Sequence, residues 1–147
     1  MSAAEPIGPI SDFVLELPSD LESIEQAVEY VMGQCTECAV ARRRLSLNFR
    51  VGLAEALANA MLYGNGQDPA KLVKLEVTVE RRRVEARVTD QGVGFDPDAM
   101  PDPTEPANIS RTHGRGIFLM RALLDEVHFN ERGNSVTLVL RANPAAS

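Results

Sequence analysis

The chain has 147 residues, of which 44% are hydrophobic and 24% charged, the balance of a folded domain of ordinary size. A formal charge of −6, without a basic stripe interleaved with aromatic residues, argues against direct binding to DNA or RNA. No apolar run approaches the roughly 20 residues that cross a bilayer, and the amino terminus lacks a secretory signal pattern, so we expect a cytoplasmic protein.

The first elements are predicted to be a strand and a helix. Alternating side chains over Phe13–Leu17 indicate the strand, which Pro18 ends. Ser19 or Asp20 can then cap a helix that we expect to run to about Ala41.

Two cysteines in this helical pattern, Cys35 and Cys38, are spaced as C-x-x-C. A zinc site would need two more ligands, and the sequence offers neither a second pair nor a histidine cluster. A redox pair is conceivable. We expect two reduced thiols, the state in which cysteines persist in the cytosol.

The middle of the chain predicts a second helix and two paired strands. The helix runs from about Leu45 to Tyr63, where Gly64-Asn65-Gly66 ends it. The strands cover Leu72–Glu80 and Arg83–Thr89 and are joined by a tight turn.

Short basic runs lie before the second helix and in this turn, at Arg42–Arg44 and Arg81–Arg83. Such runs are usually solvated faces, although either of them could meet an acidic partner.

The last third of the chain begins with a glycine loop at Asp90–Phe95. Residues 96–113 carry four prolines and little periodicity, which is typical of a functional lid or of disorder. A helix from Gly116 to about Leu124 and a hairpin of Glu126–Glu131 with Ser135–Leu140 follow.

This order of elements predicts one α+β two-layer sandwich, with a mixed, mostly antiparallel sheet covered by helices on one face. No linker or internal repeat is visible. We therefore expect residues 1–147 to form a single domain with a core of about 12–141.

The first chemical motif lies on the second helix, where Glu55 and Asn59 are the only polar residues between Leu53 and Leu62. Being four residues apart, they share one helix face. This face can simply point to solvent. Alternatively, Asn59 supplies an oxygen to Mg²⁺ and Glu55 acts as a general base.

The second motif is the D-x-G-x-G of Asp90, Gly92 and Gly94, at the end of a strand. The glycines permit close approach of the backbone to a ligand, and the carboxylate can accept a hydrogen bond from the exocyclic amine of adenine. An ordinary turn with an aspartate and two glycines would look the same.

The third motif is His113-Gly114-Arg115-Gly116 before a helix, where free backbone N–H groups can bind phosphate. A plain glycine-rich helix start is equally compatible with these residues. Arg115 could contact phosphates or be solvated, and we expect His113 to be a lid residue, not a catalyst or metal ligand.

Taken in this order, the three motifs resemble those of the GHKL superfamily of ATP-binding domains. The likeness covers about Phe13 to Leu140, and the segment HGRGIFLMRALLDEV is similar to the last helix of bacterial anti-sigma factor serine kinases.

The resemblance implies a Bergerat-type fold that binds ATP or ADP with Mg²⁺. In it the position of Glu55 is the catalytic base, Asn59 holds the metal and Asp90 binds adenine. Gly92 and Gly94 shape the adenine pocket, whereas Gly114 and Gly116 approach the phosphates.

The resemblance further implies a homodimeric protein serine/threonine kinase that phosphorylates a STAS-type anti-sigma factor antagonist and binds a sigma factor. Histidine kinases usually carry asparagine at the position of Glu55, which favours the serine kinase subgroup. The alternative is a nucleotide-dependent binding module without kinase turnover. The acidic composition of the predicted lid, an unpromising lining beside phosphates, keeps this alternative open.

Overall fold

The computed structural model describes residues 9–92 and 112–142, without the side chains of residues 112–114. Gly94 and residues 96–111 of the predicted lid lie outside the described residues. Within the described ranges no helix is long and apolar enough to cross a membrane.

Five strands form one sheet in the order β1-β2-β3-β5-β4. Their bounds are Ser11–Pro18 (β1), Leu72–Val79 (β2), Arg83–Thr89 (β3), Glu126–Phe129 (β4) and Ser135–Arg141 (β5). All four pairings among these strands are antiparallel, whereas the sequence had also suggested a parallel component.

The sheet has one apolar face because buried and polar side chains alternate along its strands. Leu75 of β2, Val88 of β3 and Val136 of β5 lie opposite one another and are all buried. The intervening positions, such as Lys74, Arg87 and Thr137, are exposed or half-buried on the other face.

Helices cover the apolar face, so the predicted α+β two-layer sandwich is confirmed. Helix α1 spans Leu21–Gln34, and one helical run contains α2 (Arg42–Arg44), a π-helical turn (Leu45–Phe49), α3 (Arg50–Asn59) and a second π-helical turn (Ala60–Gly64). Helix α4 spans Thr112–Leu123 and packs on α3.

Helix α1 starts where the sequence predicted but ends earlier. The carboxylate of Asp20 caps it by accepting a hydrogen bond of 2.8 Å from the Ser23 N–H. The prediction that it reaches Ala41 is wrong, because the chain leaves the helix after Gln34 and the Ala39 N–H donates to the strand turn at Arg81.

The C-x-x-C motif therefore lies at the end of α1, not inside it. Both thiols are free, Cys35 is buried and Cys38 is half-buried. Burial raises the pKa of Cys35 to about 12, so this thiol stays protonated at neutral pH and is a poor nucleophile.

Candidate functional site

Glu55 and Asn59 lie one turn apart on α3 and both face the start of α4. A Cβ atom placed on Gly116 would lie 2.8 Å from Glu55 Oε2 and 3.3 Å from both terminal atoms of the Asn59 amide. The face they share is therefore covered by α4 and does not simply point to solvent. Two polar groups of α3 thus converge on one point at the first turns of a second helix.

Glycines allow this close approach of the two helices. At the other end of the contact, a Cβ on Gly52 of α3 would lie 2.7 Å from Leu124 Cδ1, just after α4. Gly52 and Gly116 together let α3 and α4 pack closely, because neither glycine has a side chain that would hold the two helices apart. The helix pair therefore fixes the positions of Glu55 and Asn59.

The Asn59 side chain has a polar atom that the described residues leave unsatisfied. Its Nδ2 is fully buried and has no hydrogen-bond partner in the described part of the chain. An unpaired buried donor costs about 1–3 kcal/mol, so this group calls for a partner that the described residues do not supply, such as a water molecule or a ligand. An amide and a carboxylate at one point are also a donor set that suits Mg²⁺, which prefers oxygen ligands.

Asp90 follows β3 and lies against two glycines. A Cβ on Gly64 would lie 2.2 Å from Asp90 Oδ2, and a Cβ on Gly92 would lie 2.0 Å from the Gly64 carbonyl oxygen. No other residue type fits at either position without displacing its neighbour. The end of the long helical run and the loop after β3 are therefore in direct contact.

The backbone holds the Asp90 carboxylate in place. The Gly92 N–H donates to Oδ1 at 2.8 Å, and the Asp90 N–H donates to the Asn134 carbonyl at 2.9 Å. Burial raises the pKa of the Asp90 carboxyl, while the Gly92 N–H and the charge of Arg132 act in the opposite direction. A carboxylate in such a partly dry setting forms strong hydrogen bonds to a ligand donor.

Asn59 and Asp90 line the same open cleft. The wall opposite α3 comes from the β4–β5 hairpin. The lining residues include Ala56, Tyr63, Val88, Met120, Phe129 and Asn134.

Sequence reasoning missed Asn65, which supports the site from behind the loop after β3. Its side chain is 2% exposed and joins three segments. Oδ1 accepts from the Gln91 N–H at 2.8 Å, while Nδ2 donates to Ser19 Oγ at 3.0 Å and to the Leu72 carbonyl at 3.1 Å. Asn65 therefore anchors the loop that carries Asp90, although its sequence context indicated only a helix terminator.

The start of α4 differs from the prediction. The helix begins at Thr112, not at Gly116, so both glycines lie within its first two turns. A helix leaves its first four N–H groups unpaired, which includes that of Gly114 but not that of Gly116. Gly116 instead provides the close contact with Glu55 and Asn59. The exposed Arg115 lies in the same first turn.

A model of the histidine kinase-like ATPase domain matches residues 17–140 of the chain. The chain belongs to this family. Membership confirms the GHKL resemblance and implies a nucleotide-binding domain, and the cleft that Asn59 and Asp90 line is the candidate site for the nucleotide.

Similar proteins include two serine-protein kinases RsbW and an anti-sigma F factor. The RsbW of Listeria monocytogenes serotype 4a (strain HCC23) is 23% identical over 137 residues, covering 88% of this chain and 86% of the relative. The anti-sigma F factor of Geobacillus stearothermophilus is 33% identical over 91 residues, covering 59% and 61%. The RsbW of Oceanobacillus iheyensis is 25% identical over 91 residues, with 58% of each chain covered. The chain thus spans less than two thirds of the Geobacillus and Oceanobacillus relatives.

We expect Asp90→Asn to weaken nucleotide binding and, at the same time, to stabilise the nucleotide-free protein. The loss of a charge-assisted hydrogen bond to the ligand should cost about 1–3 kcal/mol of binding free energy. Isothermal titration with ATP measures this cost. Undiminished affinity would remove Asp90 from the adenine site.

The stability gain follows from the raised pKa. Because the folded state disfavours the ionised carboxyl, ionisation lowers the free energy of unfolding as pH rises through the Asp90 pKa. Removing the charge should therefore stabilise the protein at neutral pH, and the difference from the parent should shrink as pH falls. Urea unfolding at several pH values tests the sign.

Proposed function

We propose that this chain is an Mg²⁺- and ATP-dependent protein serine/threonine kinase that acts as an anti-sigma regulatory factor. Its substrate would be a serine of a STAS-type anti-sigma factor antagonist. The observation that carries the proposal is the convergence of the Glu55 carboxylate and the Asn59 amide at the start of α4. The names of the similar kinases and of the anti-sigma F factor support it.

The adenine end of the nucleotide would lie at Asp90, whose carboxylate accepts from the exocyclic amine. Gly64 and Gly92 would let the Asp90 carboxylate and the Gly64 carbonyl lie close together at this end of the site, since a Cβ on either glycine would meet one of these groups. At the other end, the free N–H groups of the first turn of α4, including that of Gly114, would donate to phosphate oxygens. Gly94 and Arg115 would complete the adenine pocket and the phosphate contacts.

Chemistry would take place beside α3. Asn59 would hold Mg²⁺, which neutralises phosphate charge when bound. Glu55 would accept the proton of the substrate serine as its oxygen bonds to the γ-phosphorus, while the bond from this phosphorus to the bridging oxygen of ADP breaks. A carboxylate one helical turn from the metal ligand is well placed for this proton transfer.

We further propose that the chain works as a homodimer for which the antagonist and a sigma factor compete. Phosphorylation of the antagonist would then leave the sigma factor bound. A nucleotide-dependent binding module without turnover would use the same cleft and differ only in lacking phosphoryl transfer.

Incubation of the purified protein with γ-labelled ATP and STAS proteins encoded beside its gene tests the proposal. We expect label on a serine of one STAS protein, and we expect a chelator to abolish the transfer. Asn59→Ala should lose the magnesium dependence of nucleotide binding while keeping the circular dichroism spectrum of the parent. ATP binding without transfer to any of these proteins would identify a binding module instead.

A further inference from the structure

The two arginine runs, distant in sequence, meet at one end of the molecule. The Ala39 N–H donates to the Arg81 carbonyl at 2.5 Å, and the Ala142 N–H donates to the Arg82 carbonyl at 2.8 Å. These bonds bring the start of the long helical run, the β2–β3 turn and the end of β5 together. The arginines assembled in this way are Arg42, Arg43, Arg44, Arg81, Arg82, Arg83 and Arg141.

The inner arginines of this group are held by carboxylates. Their ion pairs are Arg44 with Asp125, Arg83 with Glu80 and Glu85, and Arg141 with Glu126. In contrast, Arg42, Arg43 and Arg82 are exposed and take part in none of the ion pairs of the described residues. The guanidinium groups of these three residues therefore face solvent, next to arginines that ion pairs hold in place. The chain as a whole has a net charge of −6.

Apolar side chains continue this charged area along the helical run. Leu47 and Val51 follow Arg43 at intervals of four residues, which places all three on about the same side of the helix. Leu47 is 52% exposed and Val51 is 37% exposed. Arginine is enriched at protein interfaces and among the residues that contribute most of the binding energy, and exposed apolar side chains beside it add area that a partner can bury.

We propose that Arg42, Arg43, Arg82, Leu47 and Val51, here named the arginine surface, bind an acidic segment of a partner protein that also carries apolar side chains. Guanidinium groups bind carboxylates through paired hydrogen bonds, and Leu47 and Val51 offer apolar contacts beside them. The arginine surface begins at Arg42, 17 residues before Asn59 on the same helical run, which is about 25 Å at 1.5 Å per residue. None of its five residues is among those that line the nucleotide cleft, although Val51 lies one turn before Glu55 on the same helix. The proposal does not depend on kinase activity.

A protein segment fits this surface better than a nucleic acid does. Nucleic acids are long polyanions, and beyond this small area they would meet a chain with 21 acidic residues. The arginine surface also contains no aromatic side chain on which a base could stack. Exposed leucine and valine side chains gain no binding free energy from phosphates, but they gain it when they pack against apolar side chains of a protein.

Charge reversal with a matched control tests the proposal. The probe is a fluorescein-labelled synthetic peptide of repeated Glu-Glu-Leu-Ala units, and fluorescence anisotropy at low salt measures its affinity. The test variant is Arg43→Glu with Arg82→Glu. The control is Lys74→Glu with Arg87→Glu, which changes the net charge equally but lies on the open sheet face. Leu47→Ser tests the apolar part separately.

We expect the test variant to bind the peptide at least about tenfold more weakly than the parent, whereas the control should stay within about twofold. Leu47→Ser should weaken binding at low and high salt alike, because an apolar contact is not screened. All variants should bind ATP like the parent, which shows that they are folded. Equal losses in test and control variants, no binding of the peptide to the parent, or tighter binding of a DNA duplex than of the peptide would each overturn the proposal.

Discussion

Glu55→Gln should phosphorylate the STAS substrate at least about a hundredfold more slowly than the parent, because a general base typically contributes 10²–10⁴-fold to the rate. The substitution keeps the shape of the side chain and removes its ability to accept a proton. Since proton transfer matters in the transition state and not in the ground state, the affinity for Mg-ATP should change little. Single-turnover transfer of labelled phosphate measures the rate, and isothermal titration measures the affinity.

Glu25→Gln is the control, because Glu25 is exposed on α1, away from the cleft. It should leave both the rate and the affinity unchanged. A Glu55→Gln protein that transfers phosphate as fast as the parent would deny Glu55 the role of base. A rate that falls only in proportion to nucleotide affinity would make Glu55 a binding residue instead.

Asn65→Ala should both destabilise the fold and weaken nucleotide binding. Removal of the side chain breaks three hydrogen bonds and leaves the Gln91 N–H and the Leu72 carbonyl without this partner. Since an unsatisfied buried group costs about 1–3 kcal/mol, we expect the free energy of unfolding to fall by about 3 kcal/mol. The loop that carries Asp90 would lose its anchor, so the Kd for ATP should rise by about tenfold, or 1.4 kcal/mol.

Two further variants distinguish a role of Asn65 in positioning the loop that carries Asp90 from a role in the overall stability of the fold. Ser19→Ala removes only one partner of Asn65, on the side away from the nucleotide loop, and should lower stability without changing ATP affinity. Asn48→Ala removes a hydrogen bond of 2.9 Å to the Leu123 carbonyl, which joins the π-helical turn before α3 to the end of α4, and should behave in the same way. If Asn65→Ala also left ATP affinity unchanged in the folded protein, Asn65 would be a structural residue only.

The strands could be predicted from the sequence more accurately than the helix ends. The alternation in Arg83–Thr89 reproduces β3 as observed, because each apolar residue of this strand lies on the covered face. The predicted end of α1 at about Ala41 lies too far along the chain, because the Ala39 N–H donates its hydrogen bond to the β2–β3 turn and not to a helix. Local periodicity contains no information about such a long-range bond.

The prediction of the site had the same limit, because local sequence patterns do not show which distant residues come into contact. Glu55 and Asn59 stood out because charged and amide groups are rare on an apolar helix face. Asn65 did not, since its partners Ser19 and Gln91 are 46 and 26 residues away along the chain and become neighbours only in the fold. Gly116 was predicted for its backbone N–H, whereas its lack of a side chain is what the structure uses.

The contact between Gly64 and Gly92 limits how this cleft can change in evolution. A side chain at position 92 would meet a carbonyl oxygen of the main chain, which has no alternative rotamer to adopt. At position 64 it would meet the carboxylate of Asp90, the group expected to recognise the base. A substitution elsewhere cannot readily make room for a side chain at position 92, because the atom that this side chain would meet belongs to the backbone. New ligand preferences in this protein would therefore arise more readily elsewhere in the lining, for instance in the β4–β5 hairpin, where Asn134 and Phe129 line the same cleft.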